Sequence, residues 1–272
     1  MKDIVQRSIT GTILVTAIVS SILLGKNFFA PLFLIITILG TYEFYKMLED
    51  SKYHPQILFG TIISGILYSL LALIAMDILQ PEYLAVVVVL FFIIPIRELY
   101  RKDNDCPIPN ISQTIFGILY VGLTLGLLNF LFYQGPEGKE SFHLILVFFV
   151  VLWTSDSFAY LSGVKFGKHR LFERISPKKS WEGFFGGLIA SLVTGYIFSL
   201  YYTDNSLLFW LGYSLIVCIA GVYGDLVQSM FKRSLSLKDS GKILPGHGGI
   251  LDRFDGVFVA APVAIAYVML IS

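Results

Sequence analysis

Long apolar runs set the strongest limit on what this chain can fold into. The hydrocarbon core of a bilayer, about 30 Å thick, needs roughly 20 mainly apolar residues in each crossing helix. That ruler finds nine candidate spans in the 272 residues, near 8–25, 28–48, 56–77, 81–98, 111–133, 142–161, 183–203, 206–231 and 256–271. Only 14% of the residues are charged, against about 25% in a soluble domain. Charge that sparse does not cover the surface of a water-soluble fold of this length. The expected class is an all-α, polytopic integral membrane protein with about nine transmembrane helices and no separate soluble domain.

The basic residues orient it. With a cytoplasmic N-terminus, every Lys and Arg except Lys26 and Lys139 falls on the cytoplasmic side, as the positive-inside rule requires. Most lie in two loops, 162–182 and 232–255. The first apolar run follows a basic start, but no small-x-small cleavage site follows it, so it reads as a retained helix. Cys106 falls in a loop and Cys218 inside a helix, a pattern with neither a disulfide framework nor metal spacing. The expected surroundings are the bilayer, with no nucleic acid.

Residues 1–140 read as a scaffold of transmembrane helices, and residues 141–272 as the catalytic region with its two cytoplasmic loops. Gly122 and Gly126 form a small-xxx-small pair that permits close helix approach, and small-residue faces also allow a homodimer. No internal repeat is visible, which weighs against an inverted-repeat transporter.

Acidic residues interrupt the apolar runs. Asp156 lies in "WTSDSFAYLSG" and Asp225 in "GVYGDLVQSMFKR". A carboxylate in hydrocarbon is costly and is expected to face a cavity, a metal or a basic partner. Glu43, in "GTYEFYKML", lies near the cytoplasmic end of its span, where it reads either as a snorkelling carboxylate or as a buried polar residue tying helices together. Asp225 and Ser229, four apart, share a helix face. Downstream come Lys232, Arg233, Lys238, Asp239, Lys242, His247, Gly248, Gly249, Asp252, Arg253 and Asp255.

This mixture has a chemical logic. Hard carboxylate oxygens favour Mg²⁺, which is held by one or two carboxylates plus substrate phosphates. Lys and Arg neutralise phosphate oxygens. Pro245-Gly246-His247-Gly248-Gly249 offers a backbone nest for an anion, and the helix N-terminus that follows adds its dipole. These are the parts of metal-assisted phosphoryl-type transfer at the cytoplasmic membrane face. In the other loop, "GVKFGKHRLFERISPKKSWEG", Ser176 followed by Pro177 reads as a helix N-cap with Pro at the first helical position. Trp181 suits an interfacial depth. A plain anchor to anionic lipid also fits this loop. His54, His143 and His169 read as solvated and carry no role.

"SMFKRSLSLKDSGKILPGHGGILDRFD", residues 229–255, resembles throughout the signature of the phosphatidate cytidylyltransferases (CDP-diacylglycerol synthases). "SDSFAYLSGVKFGKHRL" and "ISPKKSWEG" are similar to the family's two other cytoplasmic-side motifs. Ser157 and Ser180 stand where that family often has Thr, and both keep the hydroxyl. The resemblance implies a reaction in which phosphatidate and CTP give CDP-diacylglycerol and pyrophosphate with Mg²⁺, in a bacterial inner membrane. On that reading Asp225, Asp252 and Asp255 hold the metal, and a second, monovalent cation has room beside it. Lys232, Arg233, Lys238, Lys242 and Arg253 face the triphosphate and the lipid phosphate, with the Gly248-Gly249 backbone beside them. His247 orients the turn or donates to phosphate. Ser176, Lys178, Lys179, Ser180 and Glu182 bind substrate or order their loop, and Asp156 supports the metal or a basic partner. The alternatives are a CTP-dependent lipid kinase, which releases CDP, and a transporter of an anionic substrate.

Overall fold

The structure is a computed structural model describing residues 2–49, 53–102, 105–134, 140–241, 243 and 248–271. Helix dominates. Among the described residues a helix lies at each apolar run: α1 (Lys2–Leu23), α2 (Lys26–Glu49), α3 (Ile57–Ala75), α4 (Ala85–Leu99), α5 (Pro107–Leu131), α6 (His143–Phe166), α7 (Trp181–Tyr201), α8 (Leu207–Ser234) and α9 (Val257–Ile271). Six of them, α2, α3, α5, α6, α7 and α8, are long and apolar enough to cross a membrane. The chain is thus an all-α integral membrane protein. At 15 residues each, α4 and α9 fall short of the expected span length.

The chain divides into two units. The first comprises Met1–Phe130 with Leu235–Arg253, and the second Leu131–Ser234 with Phe254–Ser272. This differs in one respect from a division at residue 140: the polar 235–253 segment packs with the N-terminal helices.

In the first unit, Gly25 separates α1 from α2. Its φ of 91° is a left-handed turn that glycine adopts without a Cβ penalty. Gly122 and Gly126 do bring α5 onto α3. A Cβ on Gly122 would strike Ser64, and one on Gly126 would lie 2.6 Å from Leu71 Cδ1. The same stretch of α5 widens to a π turn over Ile118–Leu123 and tightens to a 3₁₀ turn over Leu128–Leu131. Ile63, Leu67, Leu71, Ile94 and Ile118 form the apolar core between α3, α4 and α5.

Several buried polar groups inside this unit are paired, as a hydrocarbon surrounding favours, while Gln56 Oε1, Gln113 Oε1 and Asn129 Oδ1 are buried without a hydrogen-bond partner among the described residues. Tyr45 OH donates to Thr114 O at 2.6 Å, Tyr68 OH to Ala30 O at 3.0 Å, and Lys26 Nζ to Ala75 O at 2.9 Å.

In the second unit α7 lies against α6 along a glycine stripe. A Cβ on Gly183 would come 2.8 Å from Ala159 O, and one on Gly187 would come 2.7 Å from Ser155 O. Between these helices the chain makes an antiparallel hairpin of β3 (Arg170–Phe172) and β4 (Ser176–Ser180). A shorter ribbon pairs β1 (Tyr133–Gln134) with β2 (Glu140–Ser141) ahead of α6.

The hairpin corrects the expected helix start. Ser176 is a strand residue opposite Phe172, and α7 begins at Trp181. Ser180 is the N-cap, its extended backbone presenting Oγ to the Gly183 N–H at 3.1 Å. Pro fits the first turn of a helix and also the edge of a two-stranded ribbon. Ser180, three residues before Gly183, offers the capping oxygen that Ser176 was expected to supply.

Candidate active site

Within the second unit a cavity of about 510 Å³ opens between α6, α7, α8 and the hairpin. Asp156 of α6, Asp225 of α8, and Arg170, Lys178 and Lys179 of the hairpin bring charge to it. Tyr160, Val164, Phe184 and Val222 bring apolar surface. Tyr160 and Val164 are themselves largely exposed, at 70% and 72%. One cavity thus offers charged groups beside a greasy wall on a membrane protein's flank, the two surfaces an anionic amphiphile presents in turn.

Asp225 is the hub. It sits two turns before the end of α8, and its Oδ1 accepts from Ser229 Oγ at 3.2 Å, the expected one-turn spacing. Its Oδ2 is in direct contact with Lys179 Nζ, so the hairpin cation lies on the helix carboxylate. Gly224, the residue before, carries a second consequence. A Cβ there would come 2.6 Å from Asp255 O and 2.8 Å from Gly256 O. Its bare backbone lets the turn before α9 settle on α8 and carry Asp255 toward Asp225. Asp255 Oδ1 accepts from the Gly256 N–H at 2.8 Å. Burial pushes the Asp255 carboxyl well above the usual carboxylate range, and the charges of Asp225 and Asp156 push it further the same way. Asp156, Asp225 and Asp255 therefore form one electrostatic neighbourhood.

Among the described residues no group of three or more His, Cys, Asp or Glu side chains closes into a ready-made metal cage. Lys232 and Arg233 occupy the last turn of α8, where cations favour the helix dipole. Lys242 and His247, with Pro245 and Gly246, lie outside the described residues. Glu182, in the first turn of α7, accepts from the Lys168 N–H at 3.1 Å, and its Oε1 lies 2.7 Å from His169 Nδ1. His169 is solvent-exposed, as expected, but it is paired, and the pair holds the chain into the hairpin. Lys178 is exposed beside the cavity.

The first unit holds the rest of the predicted site. Asp252 Oδ2 accepts from the Ser240 N–H at 2.9 Å and the Gly249 N–H at 3.0 Å. Asp252 and Asp255 were expected to share a helix face if the segment were helical; the segment instead runs in turns, and α9 begins at Val257. Gly248 adopts φ +82°, and a Cβ there would lie 2.7 Å from Asp252 Oδ2. Lys238 and Arg253 are exposed on this segment.

Glu43 is the buried, tying polar residue that its sequence position allowed, and its partners are what sequence reasoning missed. It does not snorkel: it is 2% exposed and bonded to Ser240, Ile250 and Leu251. Of the expected phosphate nest, residues 245–247 lie outside the described residues. The N–H groups of Gly249, Ile250 and Leu251 already face the protein's own carboxylates, Asp252 and Glu43.

A helical membrane protein with an acidic and basic cavity under a hairpin has the features that phosphate chemistry at a bilayer needs. The chain belongs to the cytidylyltransferase family, whose model matches residues 5–271. It is 30% identical over 275 residues to the phosphatidate cytidylyltransferase of Bacillus subtilis strain 168, covering 96% of each chain. It is 45% identical over 150 residues to the phosphatidate cytidylyltransferase of Staphylococcus aureus strain COL, a match covering 54% of this chain and 55% of that one. The corresponding protein of Staphylococcus haemolyticus strain JCSC1435 is 44% identical over 150 residues, with the same coverage. In these two staphylococcal relatives the matched stretch therefore spans about half of their length.

Proposed function

We propose that this protein is a phosphatidate cytidylyltransferase of a bacterial inner membrane, with nine crossing helices, a cytoplasmic N-terminus and an active site open to the cytoplasm. The observation that carries the reading is the cavity beside Asp225, where Lys179, Lys178 and Arg170 meet an apolar wall. Phosphatidate is a phosphate monoester on two acyl chains, so it needs cations at one end and hydrocarbon contact at the other.

In the reaction a phosphate oxygen of phosphatidate attacks the α-phosphorus of CTP. A new P–O bond forms, the bond from the α-phosphorus to the bridging oxygen breaks, and pyrophosphate leaves with that electron pair. The attacking phosphate is already ionised near neutral pH, so no strong general base is required. The protein's work is positioning and charge neutralisation. On this reading Lys178, Lys179 and Arg170 of the cavity hold the lipid phosphate, and the signature segment's Lys238 and Arg253 are assigned to the triphosphate.

Asp156 and Asp225 line the acidic side of the cavity. An Mg²⁺ ion there would be held by Asp225, with Asp255 and Asp156 nearby. Lys179 on Asp225 marks a carboxylate that takes a cation, and a further cation would relieve the crowding of Asp255 by Asp225 and Asp156. Mg²⁺ needs only one or two protein carboxylates when substrate phosphates and water complete its octahedron. Bound there, it supplies Lewis-acid neutralisation of the CTP phosphates. Asp252, its Oδ2 committed to two backbone N–H groups, orders its own segment.

The test is turnover by purified protein in detergent or liposomes with CTP, phosphatidate and Mg²⁺. CDP-diacylglycerol and pyrophosphate should appear in equal amounts. Release of CDP would identify a lipid kinase, and no turnover of CTP would overturn the reading.

A further inference from the structure

The glycines around residue 240 and the carboxylate of Glu43 fit one another closely. Glu43 Oε1 accepts from Ser240 Oγ at 2.6 Å and the Leu251 N–H at 3.0 Å, and Oε2 accepts from the Ile250 N–H at 2.9 Å. A Cβ on Gly249 would overlap Glu43 Oε1, and one on Gly241 would stand 2.7 Å from the carboxyl carbon. Only glycine at these positions lets the segment close around the α2 side chain. Asp252 then ties the two flanks together through Ser240 and Gly249.

This arrangement transmits position. A buried carboxylate left without its donors costs far more than the net worth of its bonds. Its three donors, on both flanks of the segment, are therefore held where Glu43 needs them. The segment also carries Lys238 and Arg253, exposed cations beside those flanks. Glu43 lies with the first unit, and Asp225, Asp255 and Lys179 lie with the second.

We propose that Glu43 is a positioning residue for the nucleotide-binding segment, and that it governs the affinity for CTP rather than the chemical step. This rests on the function proposed above. Glutamine is nearly the same size but has one acceptor oxygen, and its NH₂ would point a donor at a donor. The glycine pair flanking the segment is there for the carboxylate, so Gly249→Ala displaces the same group from the other side.

Glu43→Gln, purified from the membrane as full-length protein, is compared with wild type in two ways. The first is kinetics with CTP and phosphatidate varied separately. The expected result is a CTP KM raised about ten-fold or more, kcat within about three-fold and an unchanged phosphatidate KM. The second needs no substrate: amide hydrogen exchange at Ile250 and Leu251 should accelerate by about ten-fold or more. Gly249→Ala should reproduce both effects, and the double variant should be no worse than the worse single one. If Glu43→Gln does not accumulate, Ser240→Ala removes one donor and should raise the CTP KM by about three-fold. Unchanged exchange in folded Glu43→Gln, or a kcat loss with CTP KM unchanged, overturns the proposal. If wild-type protein turns over no CTP the functional reading falls, while the exchange experiment still decides whether Glu43 anchors the segment.

Discussion

Asp225 is held between neighbours of opposite demand: a lysine that neutralises it and two acidic residues that crowd it. A carboxylate in that position is useful only if a cation can be exchanged at it. Asp225→Asn keeps the shape and removes the charge. On the proposed mechanism, initial rates should fall about 100-fold or more, the scale seen when one preorganised electrostatic group is removed. A rate within a few-fold of wild type at normal yield would end the metal role. Chelation by EDTA should abolish turnover, and added Mg²⁺ should restore it; full activity in excess EDTA would refute the metal assignment. Gly224→Ala tests the packing beside the hub. Its Cβ would meet two backbone carbonyls at 2.6 and 2.8 Å, and backbone yields poorly. The variant should lose about 1–3 kcal/mol of stability, visible as a lower Tm in detergent. An unchanged Tm would show that the turn before α9 is loose.

At the scale of elements, the β3–β4 hairpin decides where α7 begins. Ser180 caps the helix and Ser176 does not, so their alanine variants should part company. Ser180→Ala should cost about 1 kcal/mol, a Tm shift of a few degrees. Ser176→Ala should leave Tm within error. Equal shifts would restore the earlier helix start. The difference between the two serines marks what the sequence could show. Helix positions were legible because apolar runs and the bilayer thickness constrain each other, and the Asp225–Ser229 contact was legible because helical spacing is local. The hairpin was not, because a Ser-Pro step suits a helix start and a ribbon edge alike. Glu43 was not, because its partners lie 197 to 208 residues away and nothing near it signals them. The glycines of the 248–249 pair were visible as a device for approaching an anion; which anion, a phosphate or the protein's own side chains, depended on those distant partners.

At the scale of the whole molecule, the charge asymmetry gives a topology that can be checked directly. A reporter fused at the N-terminus should report cytoplasmic and one at the C-terminus the opposite side, as an odd number of crossings requires. Both reporters on one side would reduce the nine-helix reading by a crossing, and α4 and α9, the 15-residue helices, would be the first to reconsider. The two-unit division groups α2 with the signature segment, which α2 reaches through Glu43.

That reach has a consequence for how the chain is made. Glu43 enters the membrane early, and the residues that satisfy it are synthesised about 200 positions later. At roughly 5–20 residues per second of synthesis, the carboxylate waits about 10–40 s for them. During that interval α2 carries an unanswered acid, to be met by water at the membrane face or by the translocation machinery. The ribosome thus finishes most of the protein before its second helix can take its final place.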